Sequence, residues 1–132
     1  MRSQTLARIA AVTLVAVAAT HALVIAGVIP FTYVGGGRYP DLASARIGET
    51  VTCVATLGFA WIAAARGRWV GRPHDGALRI WLWIMAAVFA LNTVGNLAAA
   101  TATEKIVFAP VTALLAAIAT YLALHTRSRV ER

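Results

Sequence analysis

Four apolar stretches, each close to the thickness of a membrane, decide what this chain can fold into. The first runs from Ile9 to Ile29 and is closed by Pro30, the second from Val51 to Ala65 before Arg66, the third from Ala77 to Ala100, and the fourth follows Glu104 and Lys105 and ends near His125. Hydrocarbon offers the backbone no hydrogen-bond partners, so a segment that crosses it needs ~20 mostly apolar residues wound into a helix that satisfies itself. Four such spans use up most of 132 residues and leave short loops with no separate soluble domain. A composition of 60% hydrophobic and 13% charged residues agrees, lying outside the range of ordinary soluble domains. The expected fold is all-α: one four-transmembrane-helix bundle over residues 1–132, with helices near 8–29, 42–65, 77–100 and 102–125.

Local signals place the helix ends. Asp41 after Pro40 predicts the N-cap of the second helix, and Asp75 that of the third. Val51 to Ala65 alone is too short to span, so Arg46 and Glu49 must belong to the same helix and enter the outer part of the membrane. Thr101 and Glu104, three apart, read as a capping box in which each side chain serves the other's backbone N–H. Pro110 is expected to bend or loosen the fourth helix and free the carbonyl of Ile106. The first stretch opens like a signal peptide, with Arg2 and Arg8 ahead of it and Ala16-Val17-Ala18 resembling a cleavage site. Its apolar run continues well past that point, so a retained helix is expected.

Cationic residues set the orientation, because cytoplasmic flanks carry the excess. Arg2, Arg8, Arg66, Arg68, Arg72, Arg79, Arg127, Arg129 and Arg132 fall on one side, and Arg38, Arg46 and Lys105 on the other. Both termini and the middle loop are therefore expected in the cytoplasm of a multi-pass protein of the cell (inner) membrane. Trp69, Trp81 and Trp83 near the inner boundary, and Phe31, Tyr33 and Tyr39 near the outer one, suit the two aromatic belts. The net charge of +7 lies in segments flanking apolar runs with no basic-aromatic interleaving, which argues against nucleic acid and for anionic lipid headgroups as partners. A single cysteine, Cys53, excludes an intramolecular disulfide, a dithiol redox centre and any multi-cysteine metal site. No second histidine shares the depth of His21, so no metal, haem or other cofactor is expected.

Depth along each helix follows from a rise of about 1.5 Å per residue from the inner charged flank. His21, Asn92 and Thr112 come out roughly 20 Å up a core of about 30 Å, and Glu49, Asn96 and Pro110 roughly 25 Å up. Polar features from all four helices thus share the outer third, and the inner half has nothing comparable. Ionisable residues at such depth are expensive and face a bundle interior or a water-filled cavity. A polar pocket is therefore expected under the loop Gly35-Gly36-Gly37-Arg38, with His21, Glu49, Asn92, Asn96, Arg38 and Arg46 as its ligand-binding residues. Each member has a plainer reading. Glu49 pairs with Arg46 at a helix end, His21 bonds Asn92 as a core residue, the asparagines are interhelical glue, and the glycines form a flexible loop instead of a backbone nest for an anion.

Small residues recur every four positions at Ala18, Ala22 and Ala26, at Ala87, Leu91, Gly95 and Ala99, and at Ala109, Ala113 and Ala117. They suit close helix packing within the chain or a homo-oligomer interface. The stretches Ile29-Pro30-Phe31-Thr32-Tyr33-Val34-Gly35-Gly36-Gly37-Arg38 and Leu91-Asn92-Thr93-Val94-Gly95-Asn96, with Glu104-Lys105 ahead of Phe108-Ala109-Pro110, resemble a group of small bacterial four-helix integral membrane proteins of unassigned function. That resemblance implies the architecture and brings no activity. Small multidrug exporters, fluoride channels, thiol-dependent quinone reductases and dihaem cytochromes each require a residue that this chain lacks. Three functions compete: a pocket that binds or transports a small polar molecule, ion or lipid headgroup; an accessory subunit docking a larger membrane partner; and a lipid-acting enzyme with His21 and Glu49 as acid and base. The first is preferred, and an enzyme is the least expected.

Overall fold

The structure, a computed structural model, describes residues 2–71 and 73–126. Its elements are α1 (Arg2–Ile25), α2 (Leu42–Arg66), α3 (Asp75–Leu97), a π-helical turn (Glu104–Phe108) and α4 (Ala109–Leu124), with two short 3-10 turns at Phe31–Tyr33 and Gly35–Gly37. All four long helices, the last counted from the π turn, are long and apolar enough to cross a membrane. Of the cationic residues used for orientation, Arg72, Arg127, Arg129 and Arg132 lie outside the described residues.

The helix ends differ from the expected ones for identifiable reasons. α1 begins at Arg2, because a helix continues through polar Ser3, Gln4 and Thr5 as readily as through apolar residues; hydropathy reports the span and not the helix. It ends at Ile25 because Gly27 turns left-handed, at φ 78°, and Val28 N–H returns to Leu23 O at 2.9 Å, a Schellman stop. Arg68, at φ 63°, closes α2 the same way, with Trp69 N–H returning to Ala64 O. Asp41 is the N-cap of α2, accepting from Ser44 N–H at 2.7 Å, and that bond holds its carboxyl below the usual range. Asp75, in contrast, is the first residue of α3 and not its cap, which is His74. Pro110 follows a loosened stretch of the fourth helix. It occupies the first turn of α4, and the turn before it widens until Ala109 N–H reaches Glu104 O.

α1 packs closely on α2 and α3 on α4, so the molecule consists of two helical hairpins that meet each other along narrower seams. Their common core fills one half of the bundle. Leu14, Leu78, Leu82, Met85, Leu115 and Leu122 are almost fully buried there, with Phe59 tilted against Phe89 at 5.6 Å between ring centres. Ala7, Ala10, Ala63, Ala119 and Ala123 have no exposed surface and let the backbones approach. These are largely not the alanines of the four-residue stripes: Ala22, Ala26, Ala87, Gly95, Ala113 and Ala117 face outward, and only Ala18, Ala99 and Ala109 are buried. At the end holding the α2–α3 loop, Arg8 donates to Gly67 O at 3.0 Å, and Arg66 to Thr126 Oγ1 at 3.0 Å and His125 O at 3.4 Å.

Enlarging a buried alanine therefore separates helices, whereas shortening an outward leucine does not. Ala63→Leu is expected to lower stability in detergent by about 1–3 kcal/mol, and Leu91→Ala to leave it nearly unchanged, in a thermal or SDS titration followed by circular dichroism. Equal midpoints for the two variants would contradict this packing.

Candidate functional site

The other half of the bundle is not filled by apolar side chains. A cavity of 210 Å³ lies between the hairpins, lined by residues of all four helices and of the α1–α2 loop. Its walls hold His21 of α1, Glu49 of α2, Asn92 and Asn96 of α3, and Thr112 of α4; Val34, Gly35 and Tyr39 come from the loop, and Glu104 from the π turn.

Glu49 is 3% exposed and has a partner on each oxygen. Oε2 lies 2.5 Å from His21 Nδ1, and Oε1 accepts the Tyr39 hydroxyl at 3.3 Å. The His21–Glu49 contact replaces both plainer pairings expected for these residues. Arg46 turns away from Glu49 and donates to Ile25 O at 3.2 Å, which satisfies a carbonyl left open where α1 ends. Asn92 stays on the cavity rim with its side chain exposed. Asn96 donates to Thr112 Oγ1 at 3.3 Å, and the Thr93 hydroxyl lies 3.0 Å from the same oxygen. The asparagine is thus both interhelical glue and cavity wall.

Glu104, 6% exposed, is the second buried carboxylate. Only half of the expected capping box forms. Thr101 Oγ1 accepts Glu104 N–H at 3.4 Å, but the Glu104 carboxylate does not return to the Thr101 backbone. It takes the Thr101 hydroxyl on Oε2 at 2.6 Å and reaches across to Gly36 N–H on Oε1 at 2.7 Å. The glycine loop therefore does point an N–H at an anion, and the anion is the protein's own. Gly35, Gly36 and Gly37 all have positive φ, from 64° to 72°, a run that side-chain-bearing residues rarely sustain. Ala100 N–H closes the junction by donating to Gly36 O at 3.3 Å. Arg38 is exposed and reaches Ala98 O at 3.5 Å, so it fastens the loop from outside and does not line the cavity.

The loop from Pro30 to Pro40 is thus a strap over the cavity. It is tied to the first hairpin through Tyr39 and Glu49 and to the second through Gly36 and Glu104. Tyr39 is turned inward. Its ring sits between Gly35 and Gly48, where a Cβ on either glycine would overlap it. Among the polar cavity residues, Tyr39, Thr52, Thr56, Glu104 and Thr112 are the ones that sequence reasoning did not assign. Thr112 carried a signal in its depth, which matches that of His21. Glu104 carried none, because a capping box accounts for a helix-start glutamate completely.

Chemically, the arrangement offers a hydrogen-bonded imidazole–carboxylate pair at a distance suited to proton exchange, a second carboxylate, and amide and hydroxyl groups around a space large enough for a guest. Among the described residues, no group of three His, Cys, Asp or Glu side chains is placed to hold a metal ion. Compared with known proteins, the chain matches no family model, no curated protein and no solved structure.

Burial pushes the Tyr39 phenol above its ordinary value of 10.0, and the adjacent Glu49 carboxylate pushes it the same way. A group whose folded value is raised contributes stability that is complete below the unfolded value and is lost as pH rises through the folded one. Wild type is therefore expected to lose stability above the ordinary tyrosine value more steeply than Tyr39→Phe, in thermal melts at stepped alkaline pH. Parallel curves would show that Tyr39 is not held against Glu49.

Proposed function

We propose that the protein is a multi-pass membrane protein that binds, and in doing so carries or senses, a small polar molecule, ion or lipid headgroup in the cavity beneath the strap. The observation that carries this reading is the cavity itself. Four mostly apolar helices converge on a space walled by two buried carboxylates, an imidazole and two asparagines. Packing alone does not call for it, since ionisable groups at membrane depth are costly and a filled apolar layer would hold the helices as well. Glu49 facing lipid, or His21 set against apolar side chains, would have spoken against the reading, and neither occurs.

In this reading both termini face the cytoplasm of the cell membrane, following the arginine excess, and the strapped end faces outward. Glu49 and His21 supply charge and a proton site, Asn92 guards the rim, and Asn96 orients the guest. The outward stripes of Ala87, Gly95, Ala113 and Ala117 favour a second, compatible reading in which another membrane segment docks on α3 and α4.

Native mass spectrometry of protein released from mild detergent tests the proposal. Wild type is expected to retain a small molecule or lipid that Glu49→Gln loses and Asn92→Ala retains more weakly. A bare mass for wild type and both variants, with a stoichiometric partner protein co-purifying, would move the function from the cavity to the docking surface.

A further inference from the structure

Resting on the reading that the cavity holds a guest, we infer that the guest is a small organic cation, specifically an ammonium group on a short carbon frame. Charge comes first. The lining contains Glu49 and Glu104 against His21 alone, and neither lysine nor arginine, so even a protonated imidazole leaves one carboxylate unopposed. Glu104 is that carboxylate, since its partners are a backbone N–H and a hydroxyl, which are dipoles and not cations.

Hydrogen-bond polarity leans the same way. The Thr52 hydroxyl donates back to Gly48 O at 2.9 Å, so it has spent its proton on its own helix and keeps lone pairs for the cavity; the Thr112 hydroxyl also donates backward, to Phe108 O at 2.9 Å, but it already accepts from Asn96. Asn96 gives one of its two N–H groups to Thr112 and keeps its amide oxygen and the other N–H. A neutral His21 that donates Nδ1–H to Glu49 presents an acceptor at Nε2. With the carboxylate oxygens of Glu49 and Glu104 added, acceptors outnumber the free donors, which are the amide N–H groups left on Asn92 and Asn96 and the Thr56 hydroxyl, so the wall favours a guest that donates several hydrogen bonds. An ammonium is three donors with no acceptor.

Size and the remaining lining select the frame. A volume of 210 Å³ holds about seven waters, more than a bare ion fills. Phe89, Phe108 and Tyr39 add aromatic rings beside the carboxylates, a combination that suits an alkylammonium through both its charge and its carbon atoms. A free amine and the amine of a phosphatidylethanolamine headgroup share this chemistry.

The test uses the full chain in lipid nanodiscs and three probes of similar size: radiolabelled ethanolamine, its neutral isostere ethylene glycol, and acetate. Ethanolamine is expected to bind saturably without competition from the other two. Glu49→Gln and Glu104→Gln are each expected to weaken it about tenfold or more, the loss that follows when a charged hydrogen-bond partner is made neutral. The wild-type comparison decides the matter even if a variant misfolds. Nanodiscs of phosphatidylethanolamine and of phosphatidylglycerol then distinguish the sources. Suppression of ethanolamine binding only in the former assigns the headgroup, and equal binding in both assigns a free amine. Ethylene glycol or acetate binding as well as ethanolamine would overturn the cation while leaving a polar guest in place. If none of the three binds and the native spectrum of wild type is bare, the cation and the binding cavity fail together.

Discussion

A carboxylate removed from water must find its partners inside the protein, and the strapped half of this molecule is organised by two that do. Glu49 gathers His21 from α1 and Tyr39 from the loop, and Glu104 gathers Thr101 from beside it and Gly36 from the far hairpin. Among the described residues no buried side-chain nitrogen or oxygen lacks a partner. The strap, the positive φ angles of its glycines and the position of the Tyr39 ring all follow from where these two acids require donors. The other half has no such demand and packs as a plain apolar core.

Most of the fold was legible in the sequence because one solvent imposes one rule on every helix. The apolar stretches gave the number of helices and their approximate extent, and Asp41 as a cap was visible as a residue type in its place. The ends moved where local backbone geometry acts without a hydropathy signal. Gly27 stopped α1 short of Pro30, and the loosening expected at Pro110 took the form of a widened turn before it.

The candidate site was legible by depth and not by pairing. Counting residues brought His21, Glu49, Asn92 and Asn96 to one level, and they do line one cavity. It could not say that Arg46 would serve the end of α1, that Arg38 would lie outside the strap, or that His21 would meet Glu49 and not Asn92. Such choices depend on which way each helix is rotated about its axis, and the weak amphipathicity of helices that are apolar all round leaves that rotation unmarked. Glu104 stayed hidden for another reason, since its local role as a cap was sufficient and its distant role required knowing that Gly36 would arrive above it.

The division into two hairpins has a consequence for the order in which the molecule is made. Chains fold from the N-terminus as they are synthesised. His21, Tyr39 and Glu49 all belong to the first hairpin, and Thr93, Asn96 and Thr112 to the second, so each hairpin satisfies these polar groups before it meets the other, and Glu104 alone of the two buried carboxylates waits for a partner from across the seam. At the strapped end, the bonds from Gly36 to Glu104 and Ala100, and from Arg38 to Ala98, are the ones that cross between the hairpins. The first hairpin can wait in the bilayer with its histidine and glutamate already joined, and fastening of the glycine strap marks the moment at which the second one has arrived.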